Sequence, residues 1–123
     1  MIELPTLIEK LEKLPSLIAR QSYIVEDAHK NYKQKEAEYD NYFARRLLEL
    51  KATNDKFTVT ETKYLTQRDT GVYGKRLEVI EAEAKYRAEE VRRQELDDQY
   101  TAYKVIARVK MAELRTTDDG WQK

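Results

Sequence analysis

Apolar residues fall on stripes of helical spacing over most of this chain, and the gaps between stripes predict its elements. Leu4, Leu7, Ile8, Leu11 and Leu14 stand three and four apart, which predicts a short amphipathic helix over about 6–14. Pro15 cannot extend that helix without losing a backbone hydrogen bond, yet it suits the first turn of the next one, so a corner is expected there. Over about 16–52 the stripe reads Ile18, Val25, Ala28, Tyr32, Tyr39, Tyr42, Phe43, Leu47 and Leu50. A single helix of this length measures ~55 Å and requires a partner along it.

Thr53-Asn54-Asp55 are poor helix formers, and Lys56 to Thr60 alternates as extended chain does. Thr60 is placed to cap a short helix from Glu61 to about Arg68, and Asp69-Thr70-Gly71 with Gly74 supply turns, so about 53–74 reads as the tip of a hairpin. A second long helix is expected over about 75–115, with Leu77, Ile80, Ala84, Ala88, Val91, Ala102, Val105, Val109 and Ala112 as its seam. Residues 116–123 are expected to fray.

These elements predict an all-α fold and one domain over 1–123: a long antiparallel, coiled-coil-like helical hairpin, with the short N-terminal amphipathic helix packed at its open end. Fitting the long helices across the tip pairs residues whose numbers sum to about 127, so that Tyr39 meets Ala88, Phe43 meets Ala84, Leu47 meets Ile80 and Leu50 meets Leu77. A second stripe of Leu96, Tyr100, Tyr103, Ile106, Ala107 and Leu114 predicts an additional neighbour near the carboxyl end, which the Leu-rich first helix can supply. Apolar surface left over elsewhere predicts self-association, most simply as a dimer.

Composition narrows the function. Lys and Arg number 23 and Asp and Glu 23, so the net charge is zero, unlike that of a protein that coats duplex nucleic acid. With no cysteine, disulfides, thiolate zinc sites and cysteine nucleophiles are excluded. Mean hydropathy is −0.86, and no apolar run approaches the ~18 residues that span a bilayer, so a soluble cytoplasmic protein is expected, which includes a virus-encoded protein working inside its host.

Chemistry has few candidates. Glu26-Asp27-Ala28-His29 has the spacing of one half of a di-iron carboxylate site, but no second histidine exists to complete it. Glu81, Glu83, Glu89 and Glu90 stand among Lys and Arg, as on a solvated helix face. Gly71-Val72-Tyr73-Gly74 lacks the preceding strand and the Lys-Ser/Thr of a phosphate loop, and neither Ser16 nor Ser22 lies in a nucleophile elbow. The expectation is a non-enzymatic protein with no cofactor, metal or catalytic residue.

Binding residues are better represented. Phe57, Tyr64, Leu65 and Tyr73 lie off the seam at the tip and are the candidates for contact with a protein partner, unless the tip packs on itself. The chain holds nine tyrosines. Lys30, Tyr32, Lys33 and Lys35, with Arg45 and Arg46, form the alternative: a basic, aromatic strip on which single-stranded nucleic acid can stack. Against it, Tyr32, Tyr39, Tyr100 and Tyr103 stand at seam spacing, where rings bury and hydroxyls reach the rim. Trp121 is either a surface ring or a hook for a partner.

The Leu-rich opening, the run Arg45-Arg46-Leu47-Leu48-Glu49-Leu50-Lys51, the Lys56 to Lys63 turn with Thr60-Glu61, and Ile80-Glu81-Ala82-Glu83-Ala84-Lys85-Tyr86-Arg87 follow one another in an order that resembles short helical-hairpin accessory proteins of tailed phages and prophages. The resemblance implies no catalytic residues. It implies a small accessory protein that binds another macromolecule, in phage recombination or replication or as an inhibitor of a host factor.

Overall fold

The computed structural model describes residues 2–121, with side chains through residue 116. The described residues form three α-helices and no strand: α1 (Leu4–Thr53), α2 (Val59–Gln67) and α3 (Thr70–Trp121). The long helices α1 and α3 pack against each other as an all-α hairpin with the short α2 between them in the chain. Contacts divide the chain into two compact units, Val25–Glu89 and Met1–Ile24 with Glu90–Lys123.

In the second of these units, the segment expected as a separate N-terminal helix is the opening of α1, and no corner forms at Pro15. Leu7 and Leu14 are 1% and 2% exposed, and Gln21, a further seven residues on, is buried as well. The buried side of the helix therefore runs straight past the proline. An interior proline costs ~3 kcal/mol, and burial of two leucines at ~1.5–3 kcal/mol each offsets it. Leu4 and Ile8, expected on the same stripe, are exposed. In α3, Leu96, Tyr100, Tyr103, Ile106 and Ala107 are half-buried, as the second stripe predicts, while Leu114 is exposed. α3 continues through Trp121 rather than ending near Arg115, and the expectation for the Trp121 ring lies outside the described side chains.

In the Val25–Glu89 unit the α1 stripe is as expected: Ala28 is buried, and Tyr32, Tyr39, Tyr42, Phe43, Leu47 and Leu50 are half-buried. The α3 face is not the expected one. Leu77 and Ile80 are 41% and 51% exposed, and Ala84 and Ala88 are exposed too, whereas Val72 and Ala82 are buried and Val79 and Tyr86 half-buried. The register differs accordingly. His29 meets Tyr86 with ring centroids 4.8 Å apart, Arg46 pairs with Asp69, and Tyr42 lies against Gly71, so facing residues sum to about 115 rather than 127.

The cause lies in the tip, which is shorter and more ordered than its glycines suggest. Thr58, not Thr60, caps α2, its hydroxyl accepting from the Glu61 N–H at 3.1 Å. Asp69 caps α3, with Oδ2 accepting from Gly71 N–H at 3.1 Å and Val72 N–H at 3.2 Å. The expected Asp69-Thr70-Gly71 turn is thus a helix start, and Gly71 and Gly74 stand within α3, which begins at Thr70 rather than near Lys75.

Candidate functional site

The α2 segment borders an apolar concavity, and its two faces differ because of side-chain chemistry. Thr62 and Thr66 turn inward and are 1% and 0% exposed. Each satisfies its hydroxyl on its own helix turn, Thr62 Oγ1 donating to the Thr58 carbonyl at 2.9 Å and Thr66 Oγ1 to the Thr62 carbonyl at 2.6 Å. Val59, Tyr64 and Leu65 face outward and are exposed.

The approach to α2 is fixed by backbone contacts. Lys51 Nζ donates to the Asp55 carbonyl at 3.1 Å and also to the Phe57 carbonyl, and Phe57 N–H donates to the Asn54 carbonyl at 3.1 Å. These bonds hold the Phe57 ring, half-buried, beside the first turns of α2. Phe57, Thr60, Glu61, Tyr64 and Leu65 then line a groove of about 440 Å³. Arg68 lies over the Tyr64 ring at 5.2 Å.

Three of the four tip residues picked from the sequence, Phe57, Tyr64 and Leu65, therefore share one groove. Tyr73 is apart from them. It lines a separate groove of about 270 Å³ with Tyr39, Gln67, Val72, Arg76, Leu77 and Ile80. Leu77 and Ile80 were expected in the seam, so their place on an exposed surface beside Tyr73 was missed. Their alternation with charged residues gave no signal of which face would be covered.

A third, polar concavity of about 360 Å³ lies at the α1–α3 junction, lined by Tyr42, Arg45, Arg46, Glu49, Asp69, Thr70 and Gly71. Arg46 Nε donates to Asp69 Oδ1 at 2.9 Å and Nη1 to Glu49 Oε2 at 3.0 Å. The Arg46 guanidinium, and then the Val72 N–H, hold the Asp69 carboxyl below the usual carboxylate range. Arg45 lies over the Tyr42 ring at 5.6 Å.

The residues of the nucleic-acid strip are not gathered on one surface free of acid. Lys30 pairs with Glu26 at 3.5 Å, Lys33 with Glu36 at 3.3 Å and Lys35 with Glu38 at 3.5 Å. Tyr32 stacks on Tyr86 at 6.0 Å and 25°, and its hydroxyl donates to Glu36, which lowers the Glu36 carboxyl and raises the phenol. His29 is half-buried against Tyr86 rather than solvated beside Glu26 and Asp27. Among the described residues no three His, Cys, Asp or Glu side chains gather as metal ligands. No described helix is long and apolar enough to cross a membrane.

No family model, curated protein or solved structure matches this chain.

Proposed function

We propose that this protein is a non-enzymatic helical interaction module that docks a segment of another protein on the α2 groove. The supporting observation is the groove itself: Phe57, Tyr64 and Leu65 line an apolar groove of about 440 Å³, held by a fastened loop and a capped helix. A concave apolar surface with one acidic edge, Glu61, suits an apolar side chain of a partner segment with a cation beside it. The accessory role in phages implied by the resemblance belongs to the same proposal, since it calls for binding without catalysis.

The test is site-specific crosslinking in the cell of origin. Benzoylphenylalanine at position 64 is expected to give one discrete protein adduct, lost on Phe57→Ala and Leu65→Ala, while the same probe at Lys33 gives none. Equal labelling from both positions, or none from position 64, would contradict the proposal. Single-stranded nucleic acid as the partner would show instead as oligonucleotide binding that weakens steeply with salt and depends on Lys30, Lys33, Lys35, Arg45 and Arg46.

A further inference from the structure

The carboxyl half of α3, in the unit that contains Glu90–Lys123, is apolar on two opposite sides. One side, with Tyr100, Tyr103, Ile106 and Ala107, is half-buried. The other carries Val91, Ala102, Val105, Val109 and Ala112, and its three valines are 58%, 51% and 53% exposed. With Glu95 and Asp98, the residues of this outer side stand alternately four and three apart from 91 to 112. That is the spacing of a coiled-coil seam, in which a straight apolar stripe is kept by a repeat of seven.

We infer that this outer face of α3 pairs with the same face of a second copy of the chain, antiparallel, so that the module is a homodimer. Charge decides both the partner and the direction. Along the seam and its flanks the amino end carries Glu95 and Asp98 against Arg92 and is net acidic, while the carboxyl end carries Arg108 and Arg115 against Glu113 and is net basic. Parallel copies would set Glu95 against Glu95 and Asp98 against Asp98, and like charges at a seam are repulsive. An antiparallel pair with Ala102 opposite Val105 sets Glu95 across from Ala112 and Asp98 across from Val109. Each acid then lies within a turn of Arg108 or Arg115 of the other copy, twice over by symmetry. The small residues Ala102 and Ala112 allow close approach of the two helices. This inference extends the assembly reading to a stated partner, and it uses a face of α3 separate from the α2 groove, so the failure of either leaves the other standing.

Sedimentation equilibrium of the full chain tests it. The expected mass is twice 14.6 kDa at tens of micromolar. Val105→Arg with Val109→Arg, both exposed in one copy, is expected to give a monomer of unchanged helicity. Direction is read from two charge-reversed chains, one with Glu95→Arg and Asp98→Arg, the other with Arg108→Glu and Arg115→Glu. Each alone should dimerise at least tenfold more weakly than the native chain, and an equimolar mixture should recover native affinity as a heterodimer. A native chain that stays monomeric, a dimer indifferent to arginine at positions 105 and 109, or a mixture that shows no recovery overturns the inference.

Discussion

Arg46 Nε and Asp69 Oδ1 stand 2.9 Å apart, and this pair ties the last turns of α1 to the N-cap of α3. The Asp69 side chain is 16% exposed and that of Arg46 36%, so the pair is partly shielded from solvent. Asp69 also receives two backbone N–H groups through its other oxygen. One carboxylate therefore starts a helix and fixes where that helix meets its partner.

Two substitutions separate those roles. Asp69→Ala removes both and is expected to cost about 1–2 kcal/mol, whereas Asp69→Asn keeps a competent cap and loses only the ionic part, under about 1 kcal/mol. Because the folded carboxyl is held below its ordinary value, its contribution is complete above the unfolded carboxylate range and is lost as pH falls through the folded value. The stability gap between the native chain and Asp69→Asn should therefore be constant from neutral pH to about 5 and close on further acidification. Urea titrations at a series of pH values read this directly, and a gap independent of pH would refute the pair's role.

Gly71 and Gly74 lie in the same helix but should respond in opposite ways. A Cβ at Gly71 meets the hydroxyl and ring of Tyr42, while one at Gly74 has nothing within 4 Å. Gly74→Ala is expected to stabilise by about 0.5–1 kcal/mol through helix propensity. Gly71→Ala should destabilise by about 1 kcal/mol or more, because the half-buried Tyr42 ring must move. Trimming the ring with Tyr42→Ala should turn Gly71→Ala favourable, and thermal melts of the four chains give the coupling.

Pro15 carries a cost that the fold tolerates. Pro15→Ala restores an intrahelical donor and is expected to stabilise by about 1–3 kcal/mol. Leu14→Ala, next to it, should lose about 2–5 kcal/mol by leaving a cavity at a residue 2% exposed. A proline that marked a corner would give the reverse for Pro15→Ala, so chemical denaturation of these two variants distinguishes a continuous helix from a broken one.

Thr66 is fully buried, yet its hydroxyl bonds only to its own helix, at the Thr62 carbonyl. Thr66→Val should therefore be neutral or stabilise by up to about 1 kcal/mol, since an added methyl replaces a group with no partner outside the helix. A loss above 2 kcal/mol in denaturant titration would show that the hydroxyl has another partner.

The helical class, the part of α1 beyond Pro15 and its largely half-buried stripe from Ile18 to Leu50 were legible because apolar spacing there is regular. The face of α3 was not. Its half-buried positions include Lys75, Glu89 and Lys110, which read as polar, while the more apolar Leu77, Ile80, Val91 and Val105 face outward. Periodicity finds a stripe and cannot say which of two stripes a partner will cover. Pro15 and Gly71 misled for a related reason: local preference marks both as breaks, and packing at Leu7, Leu14 and Tyr42 overrides it. At the candidate site, Phe57, Tyr64 and Leu65 were legible as rings and an aliphatic side chain off the seam. The separation of Tyr73 depended on where α3 begins, which the Asp69 cap decides.

The register of α1 against α3 in the Val25–Glu89 unit decides which face of that stretch of α3 is covered, and the chain's single histidine gives a direct reading of it. In a proton NOE spectrum the His29 imidazole signals are unambiguous, and they should show cross-peaks to the Tyr86 ring, 4.8 Å away between centroids. Cross-peaks from His29 to side chains around Asp98, where pairing at a sum of about 127 would put them, or to no residue of α3, would contradict the account.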